Sequence, residues 1–355
     1  MEGGARMKAS LQFLIAAVAL AASGAGAAAR TEQLASQQGA SQYDTSEDLT
    51  LTDGVATAGP TSNAATSTGW PEPDPRELPD GPDKEQILYG ERLIRETYGV
   101  IGPEVANSSM RYAGNNLACG ACHLDGGRRQ GGLSLIGVHD AYPANMAREN
   151  ELRSLTQRIN GCMERSMNGR ALPEDSNEIA AMIAYIRFLS DAAPANLDGR
   201  GAPGLEYLER AADPAKGAVV FESHCASCHG ADGLGVRNGE IGDAAGYLYP
   251  PLWGPDSFND GAGMHRITKA AAFIRSNMPF GVTFDAPILT PEEAYDVAAY
   301  INVQNRPHKD GLDRDYPDRS RKPVDAPFEP FADDFPLAQH KFGPWKPIAE
   351  ARKKN

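Results

Sequence analysis

Four of the chain's five cysteines fall into two copies of one pattern, Cys119-Gly120-Ala121-Cys122-His123 and Cys225-Ala226-Ser227-Cys228-His229. Two cysteines at this spacing lie about one helical turn apart and can form thioethers to the two vinyl groups of one haem, while the histidine that follows is placed to bind its iron. The pattern therefore assigns Cys119, Cys122 and His123, and again Cys225, Cys228 and His229, to two covalently bound haem c groups. Zinc or disulfide chemistry would need two histidines to share one offset by accident. The fifth cysteine, Cys162, is left without a partner.

A chain of 355 residues with 23% charged and 41% hydrophobic residues has the composition of a globular protein large enough for two or three domains. Arg6 and Lys8 precede a short apolar run over residues 11–22 and small residues ending Ala27-Ala28-Ala29, which reads as a cleaved signal peptide (1–29) and is too short for a membrane span. No cysteine follows it to carry a lipid anchor. Export agrees with haem c attachment, which takes place outside the bacterial inner membrane, so the expected location is the periplasm. A net charge of −13 argues against nucleic acid, which needs clustered Lys and Arg; it suits a basic redox partner, or plain solubility, equally well.

Residues 30–83 are rich in Ser, Thr, Gln, Gly and Ala and then in Pro, a composition expected of a flexible leader. Two similar units follow, at 84–195 and 205–308. In the first, a predicted helix over 84–98 carries Gly90 and Ile94, and another over 177–189 closes the unit. In the second, Asp213 and Pro214 start a helix in which Gly217 and Phe221 repeat the spacing, and Thr290-Pro291-Glu292-Glu293 is a capping box opening the last helix. The closing helices share a tripeptide, Ala184-Tyr185-Ile186 and Ala299-Tyr300-Ile301. This order resembles the cytochrome c fold, in which N- and C-terminal helices cross at a glycine. The expected architecture is all-α: two tandem cytochrome c domains joined by an Ala-, Pro- and Gly-rich linker over 192–205. The extension over 309–355 carries Phe328, Phe331, Phe335, Phe342 and Trp345, too many large apolar groups for disorder, and is expected to pack as an extended strap across the domains.

The sixth position on each iron decides between electron transfer and chemistry. Met278, followed by Pro279 and 49 residues after His229, is the expected second ligand of the second haem, with Met264 as its rival. In the first unit, position favours Met167, 44 residues after His123. Against it stands Cys162, because a free thiol in an oxidising compartment is a liability unless it has a role. A thiolate on ferric iron would be protected and would lower the haem potential.

The segment Arg158-Ile159-Asn160-Gly161-Cys162-Met163-Glu164-Arg165-Ser166-Met167-Asn168-Gly169 closely resembles that of dihaem thiosulfate dehydrogenases which carries the cysteine ligand of the active-site haem. The resemblance runs through Tyr142-Pro143, Arg148-Glu149-Asn150, Tyr249-Pro250-Pro251-Leu252-Trp253-Gly254, Asn277-Met278-Pro279 and Lys341-Phe342-Gly343-Pro344, nearly everything from about residue 84 onward. It implies that Cys162 binds the first iron, and that Arg148, Arg158 and Ser166 surround the substrate. Guanidinium groups and a hydroxyl suit a small dianion. The implied reaction joins two thiosulfates into tetrathionate and passes two electrons through the His229/Met278 haem to an external small cytochrome c or other high-potential redox protein, such as a copper protein. Three alternatives stay open: an electron carrier with Met167 on the first iron, a thiosulfotransferase, and the reverse reaction, tetrathionate reduction. One departure stands out, since some family members have an exchangeable lysine ligand where this chain has Asn277. His139, His224, His265, His308 and His340 are assigned no catalytic role. The carbonyl of Pro250 or Pro251 is expected to orient His229.

Overall fold

The computed structural model describes residues 70–194, 197 and 201–353. The expected signal peptide, most of the leader and part of the linker lie outside the described residues. The first domain comprises α1 (Pro82–Arg95), α2 (Thr97–Val100), α3 (Leu124–Gly127), a hairpin of β1 (Ala144–Met146) and β2 (Glu151–Arg153), α4 (Leu155–Arg165) and α5 (Asn177–Asp191). The second comprises α6 (Pro214–His224), α7 (Ala226–His229), a hairpin of β3 (Val236–Arg237) and β4 (Tyr247–Tyr249), α8 (Ile267–Asn277) and α9 (Pro291–Val303). Both hairpins are antiparallel, with Ala144 opposite Arg153 and Val236 opposite Tyr249. In the extension, α10 (Leu337–Phe342) and α11 (Lys346–Lys353) follow a long irregular run.

Side chains set the helix starts. The carboxylate of Asp213 accepts from Ala215 N and Lys216 N at the head of α6. At α9, Glu293 N donates to Thr290 Oγ1 and Thr290 N donates to Glu293 Oε2, the reciprocal pair expected of a capping box. A second such box, Ser154 with Gln157, opens α4.

The same crossing builds both domains. A Cβ on Gly90 would lie 2.0 Å from Ala181 O, and one on Gly217 would lie 1.9 Å from Asp296 O, so α1 meets α5, and α6 meets α9, through glycine alone. The shared tyrosines pack at these crossings: Tyr185 Cβ and Tyr300 Cβ are each 2.8 Å from the built Cβ position. Around the first crossing Leu93, Ile136, Met163, Met182 and Tyr185 are buried; around the second, Phe221, Trp253, Ile267 and Tyr295.

Two stretches differ from expectation. Residues 70–83, read as leader, are built into the first domain: Trp70 packs on its core and its Nε1 donates to Arg128 O at 2.6 Å. An indole that packs part of its ring and pairs its N–H outweighs the polar composition around it. The extension crosses from one domain to the other, as expected of a strap, yet its end is helical. Trp345 and Ile348 are fully buried in the second domain's core, so amphipathic burial, not extended backbone, fixes α11 there.

Amide side chains join the domains. Asn115 Nδ2 donates to Ser166 O at 3.0 Å and Ser257 O at 3.1 Å, and Asn259 Nδ2 donates to Glu164 O at 2.8 Å. The C-terminal end of α4 is thereby fixed against the loop that precedes α8. Among the described residues no helix is long and apolar enough to cross a membrane.

Candidate active site

The first attachment motif sits on a 3-10 turn over Cys119–Ala121. Thr97 fastens it to α1: Cys119 N donates to Thr97 Oγ1 at 3.0 Å and Thr97 Oγ1 donates to Leu93 O at 2.7 Å. His123 Nδ1 donates to Leu133 O at 2.6 Å. A carbonyl only accepts, so this bond places the ring proton on Nδ1 and leaves the Nε2 lone pair for a metal. Burial lowers the His123 pKa, which keeps the ring in the neutral form that binds iron.

Cys119, Cys122 and His123 line a cavity of about 320 Å³ with Ile94, Leu117, Leu135, Leu155, Met182 and Ile186. These residues fit a haem: paired thiols, a metal-binding ring and a mostly apolar wall. Burial pushes the Cys119 thiol up to about 11 and the Cys122 thiol to about 12, so both are neutral. Among the described residues no three His, Cys, Asp or Glu side chains gather to hold a metal ion.

Three of the four residues expected at the active site, Cys162 and the substrate contacts Arg148, Arg158 and Ser166, come together here. Arg158, Cys162 and Ser166 recur every four residues along α4 and its C-cap, which puts them on one face, and all three line the cavity. Arg158 keeps much of its side chain accessible, and the neighbouring Cys162 sulfur raises its pKa, with Tyr142 and Glu149 acting in the same direction. Arg148 stands apart from this lining. It lies in the β1–β2 turn, its Nε 3.8 Å from Asp315 Oδ2 and its guanidinium 5.9 Å from the centre of the Tyr316 ring.

Met167 also lines the cavity, so both expected candidates for the first iron are present. They differ in setting: Met167 belongs to the buried core of the first domain, whereas Cys162 is partly exposed. Tyr142 and Phe258, for which no role was expected, and Met264, expected only as a rival ligand of the second iron, share the lining. Tyr142 lay within a matched motif, a usable signal. Phe258 and Met264 come from the second domain, and neither carried a signal for the first cavity.

The second motif spans α7 and its start. His229 is buried and its Nδ1 donates to Pro250 O at 2.8 Å, so of the two expected prolines Pro250 is the partner. Met278 caps α8 and packs on the second domain's core. Met264 packs on that core too while facing the first cavity. Asn277, the departure from the lysine-bearing pattern, is buried and donates to Gly131 O and Phe273 O, both at 3.0 Å. At this position the side chain joins the two domains.

Residues 110–195 match the family model described as SoxA/TsdA, cytochrome c domain, and residues 214–304 match the cytochrome c model. A thiosulfate dehydrogenase of Stutzerimonas stutzeri is 38% identical over 237 residues, covering 66% of this chain and 72% of the relative. That of Allochromatium vinosum is 42% identical over 237 residues, covering 65% and 82%. The solved thiosulfate dehydrogenase (TsdBA) from Marichromatium purpuratum superposes with a TM-score of 0.60 at 38% identity, covering 67% of this chain; this chain spans half of that one. Two tandem cytochrome c domains, each with its attachment motif, carry two covalent haem c groups. The chain belongs to the thiosulfate dehydrogenase family of dihaem cytochromes c.

Proposed function

We propose that this protein oxidises two thiosulfate ions to one tetrathionate ion in the cavity of the first domain, releasing two electrons to an external acceptor. The observation that carries this reading is that Arg158, Cys162 and Ser166 share one cavity with His123. Family membership and the names of the relatives support the substrate. When bound, haem c supplies one-electron Fe(III)/Fe(II) couples, with His123 and Cys162 holding the first iron and His229 and Met278 the second.

The chain's own groups bind and orient the substrate. Arg158 offers a permanent charge with two parallel donors to the sulfonate end of thiosulfate, Ser166 adds a hydroxyl donor, and Arg148 is the second cation. This places the outer sulfur toward Cys162 Sγ. Loss of two electrons joins these two sulfurs in an S–S bond; attack by a second thiosulfate on the bound outer sulfur then releases tetrathionate and restores the Cys162 thiolate. Apolar walls formed by Leu155, Phe258 and Met264 exclude water from the bond-forming sulfurs.

With haem bound, Met278 in place of a thiolate would give the second domain the higher-potential site, so that electrons would pass to it downhill. The net charge of −13 suits a positively charged acceptor, a small cytochrome c or a copper protein, and the leading segment suits export to the periplasm. Replacing Cys162 with Gly is expected to abolish thiosulfate oxidation while leaving the second domain's haem spectrum intact. Full activity in that variant would remove Cys162 from the mechanism.

A further inference from the structure

The C-terminal extension fastens the turn that carries Arg148. Tyr316 N donates to Arg148 O at 2.6 Å, and Arg321 Nη1 donates to Asn150 Oδ1 at 2.9 Å. Both sides of this contact are left-handed: Asn150 has φ 57°, which asparagine accommodates, and Tyr316 has φ 60°, which is strained for a bulky side chain. Between them lies Asp315, 8% exposed. Its Oδ1 accepts from Arg165 Nη2 at 2.7 Å, and Arg165 Nη1 donates to Gly261 O at 3.1 Å. Its Oδ2 is buried without a hydrogen-bond partner among the described residues and lies 3.8 Å from Arg148 Nε.

Arg165 immediately precedes Ser166 on α4. One carboxylate therefore touches both arms of the anion site, the β1–β2 turn with Arg148 and the α4 end with Ser166. Two guanidiniums share one negative charge, so the cluster keeps one net positive charge for a dianion.

We propose that Asp315 is a positioning residue for substrate binding, setting the Arg148 guanidinium relative to α4, and that the extension from Asp315 to Arg321 is a working part of the anion site. This rests on the reading of Arg148 as a thiosulfate contact. A carboxylate beside a substrate cation can act in two opposed ways. If it merely neutralised Arg148, removing its charge would strengthen anion binding. If it fixes the orientation of Arg148, removing it weakens binding even though the site becomes more positive.

The test is steady-state thiosulfate oxidation by the dihaem holoenzyme over a range of thiosulfate concentrations. Asp315→Asn keeps an acceptor for Arg165, and is expected to raise KM about tenfold while kcat changes by less than about twofold. Asp315→Glu restores part of the loss, and the absorption spectra of both haems stay unchanged. Arg321→Ala, a change at an exposed side chain, raises KM in the same direction by a smaller factor without lowering Tm, and decides the matter if Asp315→Asn does not fold. A lower KM in Asp315→Asn overturns the proposal, as does an equal rise in KM when the change is made in an Arg148→Ala background. An Arg148→Ala single variant with unchanged KM refutes the role of Arg148 in binding and takes the positioning role with it, so the two failures are told apart.

Discussion

Arg158 stands one helical turn before Cys162 and two before Ser166, so a single face of α4 presents a cation, a sulfur and a hydroxyl to the same cavity. Among the described residues no carboxylate lies within ion-pair distance of Arg158, whereas Arg165 on the same helix is bound to Asp315. The first is available to an incoming anion and the second is committed to structure. Arg158→Ala is expected to lower kcat/KM for thiosulfate by about 10- to 100-fold, since the pair proposed between Arg158 and the substrate would be charge-assisted and bidentate. Arg158→Lys recovers only part of this, because an ammonium lacks the planar fork. Steady-state kinetics on the two variants checks the prediction; equal loss in both would show that the geometry of the donors, not the charge alone, dominates.

The helix crossing is the element on which both domains depend. Gly217 has Asp296 O where any larger residue would place its Cβ, so Gly217→Ala must push α6 away from α9 and open the core around Phe221 and Tyr295. The expected cost is about 1–3 kcal/mol, seen as a lower Tm of the holoprotein, with the second haem's spectrum perturbed before the first. A Tm equal to that of the unsubstituted protein would contradict the crossing. This element was legible in advance, because a glycine four residues before a large apolar residue, a helix start at Asp213 and a capping box at Thr290 are local signals whose physics is complete within a few residues. The box of Ser154 and Gln157 was equally readable. The short hairpins were not, since strands of two or three residues carry no periodicity, and their register depends on what packs against them. Residues 70–83 misled for a similar reason: composition describes the stretch, but the packing of Trp70 and Pro75 and the Arg76–Glu91 ion pair fasten it to the first domain.

Across the whole molecule, the extension completes what the two domains begin. Trp345 is fully buried against Tyr295 and Tyr207, and its Nε1 donates to His340 O at 2.8 Å. Trp345→Ala removes a large side chain from the second domain's core and is expected to cost about 3–5 kcal/mol by thermal or denaturant unfolding. Five spaced aromatics announced this packing. Nothing in the sequence announced that Asp315 meets Arg165 and Arg148, or that Phe258 and Met264 wall the first cavity, because contacts between residues about a hundred or more apart leave no mark on local pattern. The candidate site was therefore legible where α4 supplies it and hidden where the second domain and the extension contribute. The claim on which the rest depends is that Cys162 provides the sulfur donor to the first iron, and electron paramagnetic resonance of the oxidised dihaem protein tests it most directly. Two low-spin ferric signals are expected, one of them with the narrow g-spread of thiolate ligation, which disappears in Cys162→Gly; two broad His/Met-type signals, unchanged by that substitution, would contradict the Cys162 ligation.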